Sequence, residues 1–255
     1  MIIIESAMEN FGFQKVNASE KEGLVRNVFN SVNNNYDIMN DLMSFGTHRI
    51  WKNIMVEWLA PRPSWKIIDV AGGTGDIALR ILHHVKNSST SDGIINVCDI
   101  NESMINNGRN KAINQGVLNE IKWTVGNAQN LPFSDMGFDA YTIAFGLRNV
   151  TNLQMALQEA YRVLKPGGRF MCLEFSKLTS PILDKFYDFY SFSILPNLGK
   201  VITGDKDAYK YLVESIRLFP DQSEVCNLME QNGFKNIKYR NLSNGIVAIH
   251  SGWKY

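Results

Sequence analysis

The chain has 255 residues, of which 45% are hydrophobic and 20% charged, and its formal net charge is +1. This composition is that of a globular protein with one large domain. The near-neutral charge, without a run of Lys or Arg, disfavours a nucleic-acid partner. Cys98, Cys172 and Cys226 are widely spaced and follow no zinc-binding pattern, which indicates reduced thiols.

The sequence contains no stretch of 18 or more apolar residues, so it predicts no transmembrane helix. The first five residues are too short for a signal peptide, and Glu5 and Glu9 give the wrong charge for a mitochondrial presequence. We therefore expect a bacterial cytoplasmic location, or an organelle after removal of a presequence. Peripheral contact with the inner membrane stays open.

The start of the chain predicts a helical region ahead of the sheet. Residues 1–18 are weakly patterned and are expected to form a flexible arm. Helical periodicity then recurs over 19–62 and stops at Pro61 and Pro63, which predicts a helical cap. Residues 19–255 are expected to form a single domain, with a helical insertion or lid over 177–232.

From Trp65 onward, strand-like runs alternate with helical patterns, which is typical of parallel βαβ units. This alternation predicts an α/β fold. The predicted strands are 66–71, 93–99, 121–125, 138–145 and 169–175, with a closing pair at 234–240 and 246–251. The predicted helices are 76–85, 102–115 and 152–164, followed by helical residues over 205–232.

A glycine-rich turn follows the first of these strands. Glycine at the carboxyl end of a strand allows a positive φ and lets the backbone approach a ligand. The spacing of Gly73, Gly75 and Ala78 fits the dinucleotide fingerprint loosely. Asp76, however, would repel a pyrophosphate at the helix start. Asp69 and Asp76 better suit S-adenosylmethionine, which carries an ammonium and a sulfonium. The alternative is a plain turn with solvated acids.

Two further strand ends carry polar residues. Asp99 ends the second strand 24 residues after Gly75, where a carboxylate can accept both ribose hydroxyls of an adenosine. Asp99 can instead cap the next helix, although Asn101 can do so equally well. Asn127 and Ala128, after the third strand, can offer an amide and backbone groups to an adenine edge.

The aromatic and aliphatic residues of 177–204 form a dense apolar segment. Such a segment can be core, the wall of a pocket for an apolar substrate, or a surface that contacts lipid. Their distribution over several faces of the predicted helix leaves these readings open.

Longer motifs identify a family. They are Tyr36-Asp37-x-Met39-Asn40-x-x-Met43-Ser44-x-x-x-His48-x-x-Trp51, Phe145-Gly146-Leu147-Arg148-Asn149-Val150, Arg162-Val163-Leu164-Lys165-Pro166-Gly167-Gly168-Arg169-Phe170-x-x-Leu173-Glu174-x-Ser176 and Pro220-Asp221-Gln222. On these residues the chain, from about Phe11 to Tyr255, resembles the UbiE-type ubiquinone/menaquinone biosynthesis C-methyltransferases.

The resemblance implies a seven-stranded, mostly parallel sheet of the class I methyltransferase (Rossmann-like) type. It implies that S-adenosylmethionine methylates a ring carbon of a polyprenylated quinol, either 2-methoxy-6-polyprenyl-1,4-benzoquinol or demethylmenaquinol. It places cofactor contacts on Thr74, Asp99, Asn127 and Ala128. Ala144 stands where the family often has Ser, so one hydroxyl contact is lost. The protein can act as a homodimer or as a member of a quinone-biosynthesis complex, and the sequence does not choose between these assemblies.

Carbon methylation requires a deprotonated quinol hydroxyl and a fixed geometry. Arg148 can stabilise a phenolate, and Asn149 can orient the ring. Tyr36 and His48 are expected to close the site from the cap, with His48 ranked lower because a lone His is more often structural. The predicted cofactor-binding residues are Asp69, Gly73, Thr74, Gly75, Asp99, Asn127, Ala128 and Ala144, and no metal site is expected.

Other readings stay open. An O- or N-methyltransferase for another small molecule would share the fold and the glycine turn without needing the cap motif. A non-catalytic, lipid-binding member of a quinone-synthesis complex is disfavoured by the intact turn and its acids. A nicotinamide dehydrogenase is disfavoured by Asp76.

Overall fold

The computed structural model describes residues 8–32, 40–41, 44, 46–85, 94–178, 193 and 206–255. Within these ranges seven strands form one sheet in the order β5-β4-β3-β6-β7-β9-β8. The strands are β3 (Lys66–Val70), β4 (Ile94–Asp99), β5 (Ile121–Val125), β6 (Phe138–Ala144), β7 (Leu164–Phe175), β8 (Lys235–Leu242) and β9 (Val247–Trp253). Strands β3 to β7 are parallel, and β9 is antiparallel to β7 and β8. The predicted seven-stranded α/β fold is confirmed.

Helices cover both faces of this sheet because adjacent strand residues alternate between two apolar clusters. Ile67 belongs to one cluster and Ile68 to the other. The helices are α1 (Ala18–Val32), α2 (His48–Leu59), α3 (Asp76–Val85), α4 (Glu102–Asn114), α5 (Leu153–Val163), α6 (Lys206–Leu218) and α7 (Gln222–Gln231).

Most of the predicted bounds lie one or two residues from those observed, but β7 begins at Leu164 rather than Arg169. Residues 165–168, between the predicted helix and the predicted strand, form an irregularity inside the observed strand. Its backbone is paired: the N–H of Gly167 donates to the carbonyl of Lys254, and the N–H of Lys254 donates to the carbonyl of Gly168.

The expected flexible arm over 1–18 needs correction for residues 8–17. Strands β1 (Met8–Phe11) and β2 (Gln14–Asn17) form an antiparallel hairpin, and α1 starts directly after it. The hairpin packs on α6, about two hundred residues further along the chain. Local sequence patterns cannot reveal such a partner. Residues 1–7 lie outside the described part of the chain.

Two other predictions also fall on undescribed residues. Tyr36 lies in 33–39, and most of the apolar segment 177–204 lies in 179–192 and 194–205. Among the described residues, no helix is both long enough and apolar enough to cross a membrane.

Arg169 fastens the cap helix α2 to the sheet. Its guanidinium donates to the carbonyls of Trp58 (2.6 Å) and Leu59 (3.3 Å), which end the helix, and to the hydroxyl of Ser251 (2.9 Å). It also lies 5.4 and 5.0 Å from the ring centroids of Trp58 and Trp253. Because Arg169 is only 9% exposed, these contacts are made away from water, where they contribute most.

Replacing Arg169 tests this attachment. We expect Arg169→Ala to lower the free energy of unfolding by about 3 kcal/mol, because two helix-terminal carbonyls lose their donor. Urea titration followed by circular dichroism measures the change. Arg109→Ala on the exposed side of α4 is the control, with an expected change within about 0.5 kcal/mol. Equal effects of the two substitutions would contradict the assignment.

Candidate active site

The carboxyl ends of β5, β4, β3 and β6 are neighbours in the sheet, and they surround a cavity. The cavity has a volume of about 790 Å³, counting space open to solvent, which is in the range of small-molecule sites. It lies where the strand order reverses between β3 and β6, the position at which open α/β sheets bind ligands. Of the predicted residues, its wall includes Gly73, Asp99, Asn127, Ala128 and Asn149.

Asp99 lines this cavity and connects the ends of two strands. One carboxylate oxygen accepts the N–H of Gly73 at 2.9 Å, and the other accepts the N–H of Asn101 at 2.8 Å. Burial raises the pKa of this carboxyl, and the backbone donors oppose that rise. Helix α4 is capped by Asn101, whose side chain accepts from Ser103 and Met104. The capping alternative for Asp99 is therefore wrong.

A second, smaller cavity of about 430 Å³ adjoins the first and shares Ala71, Gly73 and Phe145 with it. Its wall includes three predicted residues, Asp69, Thr74 and Ala144, together with Lys52 from α2. Each predicted cofactor residue except Gly75 thus lines one of the two cavities or, for Gly73, both.

Asp69 is the most deeply buried of these acids, at 1% exposure. One of its oxygens accepts the hydroxyl of Thr142 at 2.8 Å, and the other has no hydrogen-bond partner among the described residues. Burial raises the pKa of Asp69 to about 7. A buried acceptor without a donor fits a ligand that brings a charged donor, such as an ammonium.

Asp76 differs from its expected role. Its carboxylate pairs with Lys52 at 2.8 Å and with Arg80 at 3.0 Å. Burial acts to raise the pKa of Asp76, but the two cations lower it to about 2. The negative charge of Asp76, which was expected to face a cationic ligand, is therefore balanced by Lys52 and Arg80.

Gly75 also has a role that the sequence did not indicate. It lines neither cavity, and a Cβ at this position would lie 2.5 Å from Cη2 of Trp123. With φ at +77°, Gly75 allows the turn to pack against this ring. Gly73, by contrast, contributes its N–H to Asp99 and lines both cavities.

Helix α1 covers the first cavity from the side opposite the strands. Glu22, Val25 and Arg26 belong to its wall, and the amide of Asn127 donates to Glu22 at 3.1 Å. Sequence reasoning missed these residues. Their only signal was a shared helical face, which does not distinguish a cavity wall from ordinary packing.

Arg148 and Glu174 form a buried ion pair. The closest N···O distance is 2.6 Å, and the two side chains are 4% and 0% exposed. Glu174 also accepts the backbone N–H of Arg148 at 3.3 Å, and Arg148 donates to the carbonyl of Phe145 at 2.7 Å. Arg148 lines neither cavity. The expected free cation is therefore corrected to a paired one, although its Nε has no partner among the described residues.

Asn149 belongs to the wall of the first cavity, next to this ion pair. It lies in a short 3-10 helix, Leu147–Asn149. Its side-chain oxygen accepts the hydroxyl of Tyr211 at 3.1 Å, and its amide nitrogen donates to the carbonyl of Phe145 at 3.4 Å. Glu174 and Tyr211 were not predicted as site residues. Glu174 lies inside a predicted strand, and Tyr211 is one of many aromatic residues in the chain.

His48 lies outside both cavities. Its Nε2 pairs with Asp41 at 2.9 Å, and its side chain is 4% exposed. Burial lowers the pKa of this imidazole, and the charge of Lys52 lowers it further. These contacts favour the structural role that was the alternative for His48.

The order and direction of the seven strands are those of the class I, Rossmann-like methyltransferase fold. One similar solved structure is an S-adenosylmethionine-dependent methyltransferase of Thermotoga maritima, described as a possible histamine N-methyltransferase. Its TM-score is 0.63 at 20% identity, and the match covers 91% of this chain and 100% of that one. At this identity the likeness shows the fold alone.

The sequence pattern of the ubiE/COQ5 methyltransferase family matches residues 15–254, and the chain belongs to this family. The ubiquinone/menaquinone biosynthesis C-methyltransferase UbiE of Brucella abortus strain S19 is 55% identical over 247 residues, 96% of this chain and 90% of that protein. The protein of the same name in Brucella anthropi is 53% identical over 253 residues, 98% and 95% of the two chains. The chain is thus an enzyme that uses S-adenosylmethionine.

Two glycines with similar backbone angles test the role of Gly75. Gly75 and Gly116 have φ of +77° and +74°, but a Cβ at Gly116 has nothing within 4 Å. The shared cost of a positive φ therefore cancels when the two alanine variants are compared. We expect Gly75→Ala to be less stable than Gly116→Ala by about 2 kcal/mol, from the clash with Trp123. Urea unfolding without cofactor measures it, and equal stabilities would refute the packing role.

Proposed function

We propose that this enzyme transfers the methyl group of S-adenosylmethionine to a ring carbon of a polyprenylated quinol. The substrate is 2-methoxy-6-polyprenyl-1,4-benzoquinol, demethylmenaquinol or both. The enzyme is an S-adenosylmethionine-dependent C-methyltransferase of ubiquinone or menaquinone biosynthesis. The observation that carries this proposal is the match over nearly the whole chain to relatives of that name.

The residues around the two cavities fit S-adenosylmethionine, which supplies an electrophilic methyl group when bound. In the first cavity, Asp99 has acceptor capacity for ribose hydroxyls, because a carboxylate has about four lone-pair sites and two are used. Asn127 and Ala128 line the same cavity and suit an adenine edge. In the second cavity, the unpartnered oxygen of Asp69 suits the ammonium, with Thr74 and Ala144 beside it.

The loop after β6 is proposed to hold the quinol. A ring carbon is a weak nucleophile, and removal of a hydroxyl proton moves charge onto the ortho carbon. Since Glu174 balances the charge of Arg148 and Arg148 lines neither cavity, we propose that Arg148 supports the quinol site by holding the carbonyl of Phe145 rather than by acting as an unpaired cation. Asn149, in the cavity wall, orients the ring.

The cap is proposed to close the site. Tyr36 keeps its predicted role toward the substrate as part of this proposal, and His48 is proposed to support the cap through its contact with Asp41. Peripheral membrane contact belongs to the same proposal, since a polyprenyl tail partitions into lipid. A homodimer and a quinone-biosynthesis complex are further proposals about assembly.

Asp99 can be tested with one isosteric change. In Asp99→Asn the new amide nitrogen must face the N–H of Gly73 or that of Asn101, and both are donors. We expect the Kd for S-adenosylhomocysteine to rise at least about tenfold, equivalent to ~1.4 kcal/mol. Calorimetry measures it, with Glu102→Ala, exposed on the first turn of α4, as the control. An unchanged Kd would remove Asp99 from the cofactor site.

The reaction is tested by supplying both quinols. We expect the purified enzyme and S-adenosylmethionine to methylate the reduced form of at least one of them, and mass spectrometry of fragments should locate the new methyl on a ring carbon. The oxidised quinones serve as controls and should not react, because they lack the hydroxyl that activates the ring. A methyl on oxygen would favour the O-methyltransferase alternative, and no product from either quinol would contradict the proposal.

A further inference from the structure

The N-terminal hairpin is attached to one face of α6 by two contacts. The ring of Phe11 stacks on that of Tyr211, with centroids 4.4 Å apart and planes inclined by 21°. Three residues further along α6, the carboxylate of Glu214 accepts the backbone N–H of Phe13 at 3.0 Å. Gly12, with φ at +56°, fits between them, because a Cβ there would clash with Glu214. The hairpin is therefore fitted to this helix.

Tyr211 connects α6 to the cavity. Its side chain is buried, at 4% exposure, and its hydroxyl donates to Asn149 at 3.1 Å. Burial raises the pKa of Tyr211 to about 12, with the charges of Arg148 and Glu174 acting in opposite directions. The hydroxyl therefore keeps its proton at neutral pH.

Both ends of the Asn149 amide are fixed. The carbonyl of Phe145 can only accept, so the amide nitrogen of Asn149 must face it, and the amide oxygen must face Tyr211. Without the tyrosine hydroxyl, one of these two contacts is lost and the amide is free to turn. Phe145 itself has φ at +58°, and Arg148 holds its carbonyl from a second direction.

We infer that Tyr211 is a positioning residue for methyl transfer, which fixes the Asn149 amide in the cavity wall, and that the N-terminal hairpin holds Tyr211 in place for this task. The inference rests on the proposed role of Asn149 toward the quinol. It assigns the hairpin, which contributes no residue to either cavity wall, an indirect part in the reaction.

A double-mutant cycle tests the inference with full-length Tyr211→Phe, Asn149→Ala and the double variant. Tyr211→Phe keeps the ring that stacks on Phe11 and removes only the hydroxyl. We expect it to lower kcat at least about tenfold with the quinol that is methylated, since small misplacements cost up to about a hundredfold. The Kd for S-adenosylhomocysteine should stay within twofold, and the melting temperature should fall by no more than about 4 °C, as the loss of one buried hydrogen bond implies. The double variant should be no slower than Asn149→Ala.

Two controls separate positioning from a general loss of structure. Tyr239→Phe removes a hydroxyl at an exposed position and should keep full kcat. Phe11→Leu removes the stacking ring while leaving Tyr211 intact, and should lower kcat severalfold without changing the cofactor Kd. Phe11→Leu also decides the case if Tyr211→Phe fails to fold.

The outcomes are distinct. Wild-type kcat in Tyr211→Phe, or additive losses in the cycle, would overturn the inference while leaving the proposed function in place. Full kcat in Asn149→Ala would refute the role of Asn149 and the inference with it. If neither quinol is methylated, the proposed function fails. The side-chain amide resonance of Asn149, assigned by its loss in Asn149→Ala, then decides: it should shift in Tyr211→Phe, and an unchanged resonance would overturn the contact.

Discussion

The hydrogen bond from the N–H of Gly73 to Asp99 is the contact on which the cofactor site depends. It joins the turn after β3 to the end of β4, and the second oxygen of the same carboxylate holds the start of α4 through Asn101. A buried carboxylate is unfavourable unless donors surround it, and here backbone donors supply that compensation. The shape of the larger cavity is thus set by an interaction within the protein before any ligand enters.

The Arg148–Glu174 pair has a corresponding role beside the proposed quinol site. Removing one partner would leave the other as an unpaired buried charge, which costs several kcal/mol. The pair also fixes the backbone conformation of the loop after β6. Glu174 accepts the N–H of Arg148, and Arg148 donates to the carbonyl of Phe145, a residue with positive φ. A loop with this strained residue keeps its shape because several contacts over-determine it.

The sequence allowed the sheet to be predicted, and also the meeting of several candidate site residues at one of its edges. Strand ends follow from local patterns, and parallel strands bring Asp99, Asn127 and Gly73 to one edge. The errors concern residues whose partners lie elsewhere in the chain. Lys52 neutralises Asp76 across 24 residues, and Glu174 neutralises Arg148 across 26. A charged residue type indicates a chemical capacity, but only the fold shows whether a neighbour has already used it.

The position of β9 has a consequence for how the chain folds during synthesis. It is the last strand in sequence, yet it lies between β7 and β8 and pairs with both. A nascent chain that has emerged only through β8 therefore leaves β7 with an unpaired edge, which is prone to association with other chains. The sheet can close only when residues 247–253 have left the ribosome, so β7 and β8 cannot reach their final pairing before that point.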